Sequence, residues 1–169
     1  MIATMGIPVF NSDFIARELM ENNPELKQAL TMRFGDGLYT HNQLNREWLA
    51  NILFKNEESR KFVESIVHRA VHQAFQEWKS QQSSEIIVRE SAPLASIDLT
   101  KQSDTMVLVA CPKELRLKRV LQRAGMNSEK FDERSRLQHA EETIRPHAHY
   151  EIINDGRAIV PQIMVMLGK

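Results

Sequence analysis

The chain has 169 residues, of which 42% are hydrophobic, and its 22 Lys plus Arg balance 22 Asp plus Glu. This length suits one packed domain, and the even charge removes any electrostatic argument for nucleic acid, an anionic membrane or a basic partner, so a small metabolite is the expected ligand. A single cysteine, Cys111, excludes an internal disulfide, no apolar run is long enough to span a bilayer, and Met1 to Phe10 lacks the basic start and apolar core of a secretory signal, so a reducing cytoplasm is expected.

In chain order, Gly6-Ile7-Pro8-Val9-Phe10-Asn11-Ser12-Asp13 predicts a short apolar strand ending in a carboxylate that also caps the next helix, with Phe14, Ile15 and Leu19 along one side of it. Asn23-Pro24-Glu25 opens a second helix, and Gly35-Asp36-Gly37 stops it. Asn45 to Phe54 carries Trp48, Leu49, Ile52 and Leu53 at helical spacing. Phe62, Ile66, Ala70 and Ala74, with Val63, Val67, Val71 and Trp78 alongside, predict a long amphipathic helix that the polar run Lys79 to Glu85 breaks. Ile86-Ile87-Val88 reads as a buried strand with Glu90 at its end, and Thr105 to Ala110 as another.

Pro112 then falls in the first turn of a helix holding Leu115, Arg116, Arg119 and Arg123, which Gly125 is placed to end. Asn127 or Ser128 caps a charged segment running through Gln138, with Arg134 and Arg136 near its middle. Tyr150 to Ile153 reads as a strand, Asn154-Asp155-Gly156 as a turn, and Ile159, Val160, Ile163, Met164 and Leu167 as one face of a closing helix.

Apolar strands separated by helices define an α/β class, a parallel sheet flanked by helices, with an almost wholly helical insertion between the first and second strands. Ligands of open α/β sheets bind outside the carboxyl edge, where Asp13 is a candidate proton acceptor as well as a helix cap. The arginine cluster fits either a phosphate-binding lid or a solvated helix face laced with Glu114, Glu129, Asp132 and Glu133. His68 with His72, and His147 with His149, do not make a metal site, because Arg69 stands where the metalloprotease pattern needs glutamate and the second pair lacks partners at ligand spacing.

In order and spacing these segments resemble the dephospho-CoA kinase family of P-loop kinases. The family's glycine, apolar run, Asp-x-Asp and Ile-Ala-Arg are matched from Gly6 to Arg17, its Phe-Gly pair by Phe34-Gly35, and its arginine ahead of a helix by Asn45-Arg46. Its helix into His-Pro is matched by Glu64 to His68, its Val-x-Glu-x-Pro-Leu strand by Val88 to Leu94, and its arginine helix and Arg-x-x-x-Gln by Leu115 to Arg123 and Arg134 to Gln138. Ala148-His149, the strand Tyr150 to Ile153 and Asn154-Asp155-Gly156 complete the likeness.

The resemblance implies a P-loop-kinase fold over 1–169, with a helical CoA-side insertion at 14–82 and an arginine-rich helix and lid at 112–145. It implies ATP-dependent phosphorylation of the 3′-hydroxyl of dephospho-CoA, with magnesium entering alongside ATP. On this reading Asp13 is the catalytic base, and Arg119, Arg123 and Arg134 neutralise phosphoryl charge. Arg17, Phe34, Arg46, His68 and Glu90 lie on the substrate side, and Asn154 and Gly156 beside adenine. The sequence carries no signal for oligomeric state.

The family's first strand and its phosphate loop, Gly-x-x-x-x-Gly-Lys-Ser/Thr, are not found within these residues, where the only Gly-Lys is Gly168-Lys169. Asn11 replaces the family's first aspartate, Arg69 its proline and His149 an aspartate. The alternative expectation is therefore a non-catalytic protein that binds CoA or a nucleotide.

Overall fold

A computed structural model describes residues 1–91, 103–122, 127–137 and 141–168, the side chains of residues 130, 133, 134, 136, 137, 141 and 142 excepted. Contacts divide the chain into two compact units, Met1–Ala92 and Pro93–Lys169.

In the first unit a 3-10 turn, Ile2–Met5, precedes strand β1 (Val9–Asn11) and helices α1 (Ser12–Asn22) and α2 (Pro24–Phe34). A small hairpin follows, β2 (Tyr39–Thr40) and β3 (Gln43–Leu44), then helix α3 (Arg46–Lys55), the long helix α4 (Glu57–Ser80) and strand β4 (Val88–Glu90). β1 and β4 pair in parallel, with Phe10 opposite Arg89 and Asn11 opposite Glu90.

α4 organises this unit, because Val63, Val67, Val71 and Phe75 recur every fourth residue and are all buried. The seam therefore runs one residue beyond the expected stripe; Phe62, Ile66, Ala70 and Ala74 flank it, partly buried. Leu26 and Leu30 of α2, Leu49 of α3 and Phe10 of β1 close on the same core. Phe10 meets Phe75 edge to face at 5.2 Å between ring centroids, a preferred aromatic geometry.

Asparagine starts each of these helices. The side-chain oxygens of Asn11, Asn23, Asn45 and Asn56 accept the backbone N–H of Phe14, Leu26, Trp48 and Ser59 at 2.8 to 3.0 Å. The expectation that Asp13 caps α1 is thus corrected. The chain enters helical geometry at Ser12, so Asn11 holds the cap position and Asp13 stands exposed in the first turn. β4 also lies two residues later than expected, because Val88–Glu90 is the stretch that pairs with β1, and Ile86 is exposed.

The second unit contains strand β5 (Val107–Ala110), helices α5 (Lys113–Leu121), α6 (Ser128–Leu137) and α7 (Glu141–Ile144), strand β6 (Tyr150–Ile153) and helix α8 (Ile159–Met166). β5 and β6 pair in parallel from Val107 opposite Tyr150 to Ala110 opposite Ile153. Pro112 takes the cap position of α5 rather than its first turn. α8 is fastened to β6 by Gln162, whose amide accepts from Ile153 N at 2.8 Å and donates to Ile153 O at 3.1 Å. Leu108, Ala110, Phe131, Ile152 and Ile163 are the buried apolar residues described in this unit. No helix among the described residues is long and apolar enough to cross a membrane.

Candidate active site

In the first unit the polar groups gather where β1 and β4 end. Asn11 uses both ends of its amide: the oxygen caps α1, and the nitrogen donates to Glu90 Oε2 at 3.2 Å. Ser12, only 6% exposed, accepts from Arg89 Nε at 3.2 Å. The Arg89 guanidinium lies over the Phe75 ring, 4.7 Å from its centroid, and partial burial lowers its pKa from the ordinary guanidinium range.

Asp13 follows directly, exposed, in the first turn of α1. The helix N-terminus favours the negative carboxylate there, and no structure need be broken for it to meet a ligand. Arg17 is exposed one turn further along α1.

Other expected site residues of this unit have different surroundings. Phe34 ends α2, half-buried, with its ring edge-on to Phe62 at 6.2 Å. Arg46 starts α3 and pairs with Glu21 at 2.8 Å, while Glu21 also accepts from Leu44 N at 3.1 Å. His68 lies exposed on α4. The structure therefore joins Glu90 to the strand–helix junction that carries Asp13, and distributes Phe34, Arg46 and His68 over the helical layer.

In the second unit a corresponding junction forms where β5 and β6 end. Asn154 N donates to Ala110 O at 2.8 Å, extending the ladder by one bond. Arg119, on α5, donates from Nη1 to Asn154 O at 2.9 Å and to Asn154 Oδ1 at 3.0 Å, and lies 3.5 Å from Cys111 Sγ. Two residues named from separate motifs thus meet, and Arg119 braces the turn after β6. Gly156 in that turn has φ of +110°, a left-handed conformation that glycine adopts without a Cβ penalty.

Arg116 lies over Phe131 at 5.9 Å, and Lys113 pairs with Asp132 at 3.9 Å, so α5 and α6 are tied by cationic side chains. Arg123, Gly125 and Gln138 lie outside the described residues, as do the side chains of Arg134 and Arg136 on α6. Leu94, with Ala92 and Pro93 before it, lies outside them as well.

Arg89 is the residue that the sequence reading passed over. Its signal was a cation between the apolar run Ile86-Ile87-Val88 and Glu90, but the role emerges only from the pairing with β1.

Parallel strand pairs with polar side chains gathered at the strand–helix junctions after β1 and β5 place the molecule in the α/β class. A dephospho-CoA kinase family profile matches residues 1–159. A dephospho-CoA kinase from Porphyromonas gingivalis is 31% identical over 166 residues, 97% of this chain and 82% of the relative. One from Bacteroides fragilis is 30% identical over 169 residues, 99% of this chain and 82% of the relative. A Thermus thermophilus crystal structure superposes with a TM-score of 0.81 at 26% identity, covering 99% of this chain and 84% of that one. A Campylobacter jejuni dephospho-CoA kinase shares the fold at a TM-score of 0.64 and 21% identity, covering 98% and 86%. The chain belongs to the dephospho-CoA kinase family.

Proposed function

We propose that this protein transfers the γ-phosphoryl group of ATP to the 3′-hydroxyl of dephospho-CoA, giving coenzyme A and ADP, and that it does so in the cytoplasm. The observation that carries the reading is Asp13, an exposed carboxylate delivered by a strand–helix junction whose two preceding residues are each bonded to β4. The non-catalytic alternative has no support from the curated relatives described above, which are named as kinases.

Asp13 accepts the proton of the ribose hydroxyl as that oxygen bonds to the γ-phosphorus and the bond to the β–γ bridging oxygen breaks, ADP leaving with the electron pair. Phosphoryl transfer depends on alignment and charge neutralisation, so a base fixed in direction contributes through both. Arg119 holds the Asn154 turn, which with Gly156 forms the adenine side, and Arg123 and Arg134 supply lid charge from within 112–145. Arg17 stands one turn from the base, on the acceptor's side, and Glu90 orients Asn11. Phe34, Arg46 and His68 shape the helical CoA side within 14–82.

Among the described residues no group of three or more His, Cys, Asp or Glu gathers as a metal cage. Magnesium would arrive on the nucleotide's phosphates and would supply charge neutralisation there, with Asp13 of α1 and Glu90 of β4 the exposed carboxylates of the junction.

Coupled detection of ADP with dephospho-CoA and magnesium-ATP tests the base. Asp13→Asn is expected to lower kcat by about a hundredfold or more. Undiminished turnover would remove Asp13 from that role.

A further inference from the structure

Arg89 occupies the central position of β4, opposite Phe10, where its guanidinium covers the Phe75 ring and its Nε reaches the Ser12 hydroxyl at 3.2 Å. For packing alone this is an expensive choice. Arg89 is half-buried, and an apolar side chain on the Phe75 face would avoid the partial desolvation that a cation undergoes there. What the guanidinium adds is direction: a planar group stacked on an aromatic face has a fixed plane, and its Nε–H therefore points one way.

The residue it holds lies immediately before Asp13. Asn11 is bonded to Glu90 and Ser12 to Arg89, so consecutive residues of the junction are anchored to consecutive residues of β4. The geometry points to Arg89 as a positioning residue for phosphoryl transfer, acting through Ser12 to set the direction in which Asp13 meets the acceptor hydroxyl. This inference rests on the reading of Asp13 as the base.

The full chain is assayed as wild type, Arg89→Met, Arg89→Lys and Ser12→Ala, and with each change combined with Asp13→Asn. Misplacing a reacting group by about an ångström can cost as much as a hundredfold, so each single change is expected to lower kcat by about tenfold or more while KM for both substrates stays within about twofold. Arg89→Lys keeps the charge but loses the planar Nε donor, and is expected to behave like Arg89→Met. Arg89→Met combined with Ser12→Ala falls no further than the more damaging single change, because the two residues act through one link. In Asp13→Asn none of the three changes lowers single-turnover phosphoryl transfer further.

A structural role alone would lower the melting midpoint and leave kcat per folded molecule unchanged. That result, additive losses, or equal losses with and without Asp13 would overturn the inference. If Arg89→Met does not fold, Ser12→Ala and Arg89→Lys decide the question. Full turnover in Asp13→Asn, or none in the wild type, would instead overturn the functional reading, and this inference with it.

Discussion

Tyr39 is set by its surroundings at both ends. Burial is the largest cause that raises its phenol pKa above the usual 10.0, and the Glu21 carboxylate adds to it, while Arg46 opposes both. The hydroxyl donates to Met20 O at 2.7 Å, and Lys27 lies 4.9 Å from the ring centroid. Because the folded-state pKa is raised, the associated stability is fully present below pH 10.0 and is lost as pH rises through the folded-state value. Tyr39→Phe is expected to cost about 1 kcal/mol near neutrality through the lost hydrogen bond. Urea midpoints from neutral to alkaline pH should show the two proteins converging; a gap independent of pH would contradict this.

Asp13 was legible as an acidic residue at the end of a strand, because an apolar run followed by helical spacing identifies the junction. That Asn11 and not Asp13 caps α1 was not, because Asn11, Ser12 and Asp13 are all good cap residues and only the backbone path selects among them. Arg119 was legible as one of several helix arginines, but its bonds to Asn154 join residues 35 positions apart. Arg89 was hidden for the same reason, since its partner lies 77 positions away.

At the scale of elements, helices with strong local signals were readable in order and close in extent. α4 carries its own periodicity, and Asn45 and Asn56 mark where α3 and α4 begin. Asn56→Ala should destabilise the protein by about 1 kcal/mol, since the Ser59 N–H loses its acceptor, whereas Asn56→Asp should recover most of the loss. Chemical denaturation checks this; equal midpoints for wild type and Asn56→Ala would show that the cap contributes nothing.

Strands were less uniform. Tyr150–Ile153 coincides with its expectation because it is apolar at its end and closes on a glycine turn. The β2–β3 hairpin was not anticipated. Its central residues, His41 and Asn42, take positive φ of 50° and 68°, a turn usually announced by glycine. Here Lys27 supports that turn by donating to Asn42, a contact that no local pattern reveals.

For the whole molecule, the α/β class followed from apolar strands alternating with helices, and the family from motifs in a fixed order, each weak alone. Both are established, by the parallel ladders and by relatives that align over nearly all of this chain. The substrate-side residues are of another kind. Phe34 and Arg46 each serve a structural neighbour, a ring and a carboxylate, contacts that the spacing of their motifs does not reveal.

The central claim concerns chemistry at one hydroxyl. Its most direct test is to incubate the protein with magnesium-ATP, with and without dephospho-CoA, quantify ADP and identify the acceptor product by mass and by the position of the new phosphate. The account predicts ADP release that depends on dephospho-CoA and equals the amount of product phosphorylated at the ribose 3′-oxygen. ADP release that ignores the acceptor, phosphate at another position, or no transfer at all would contradict it.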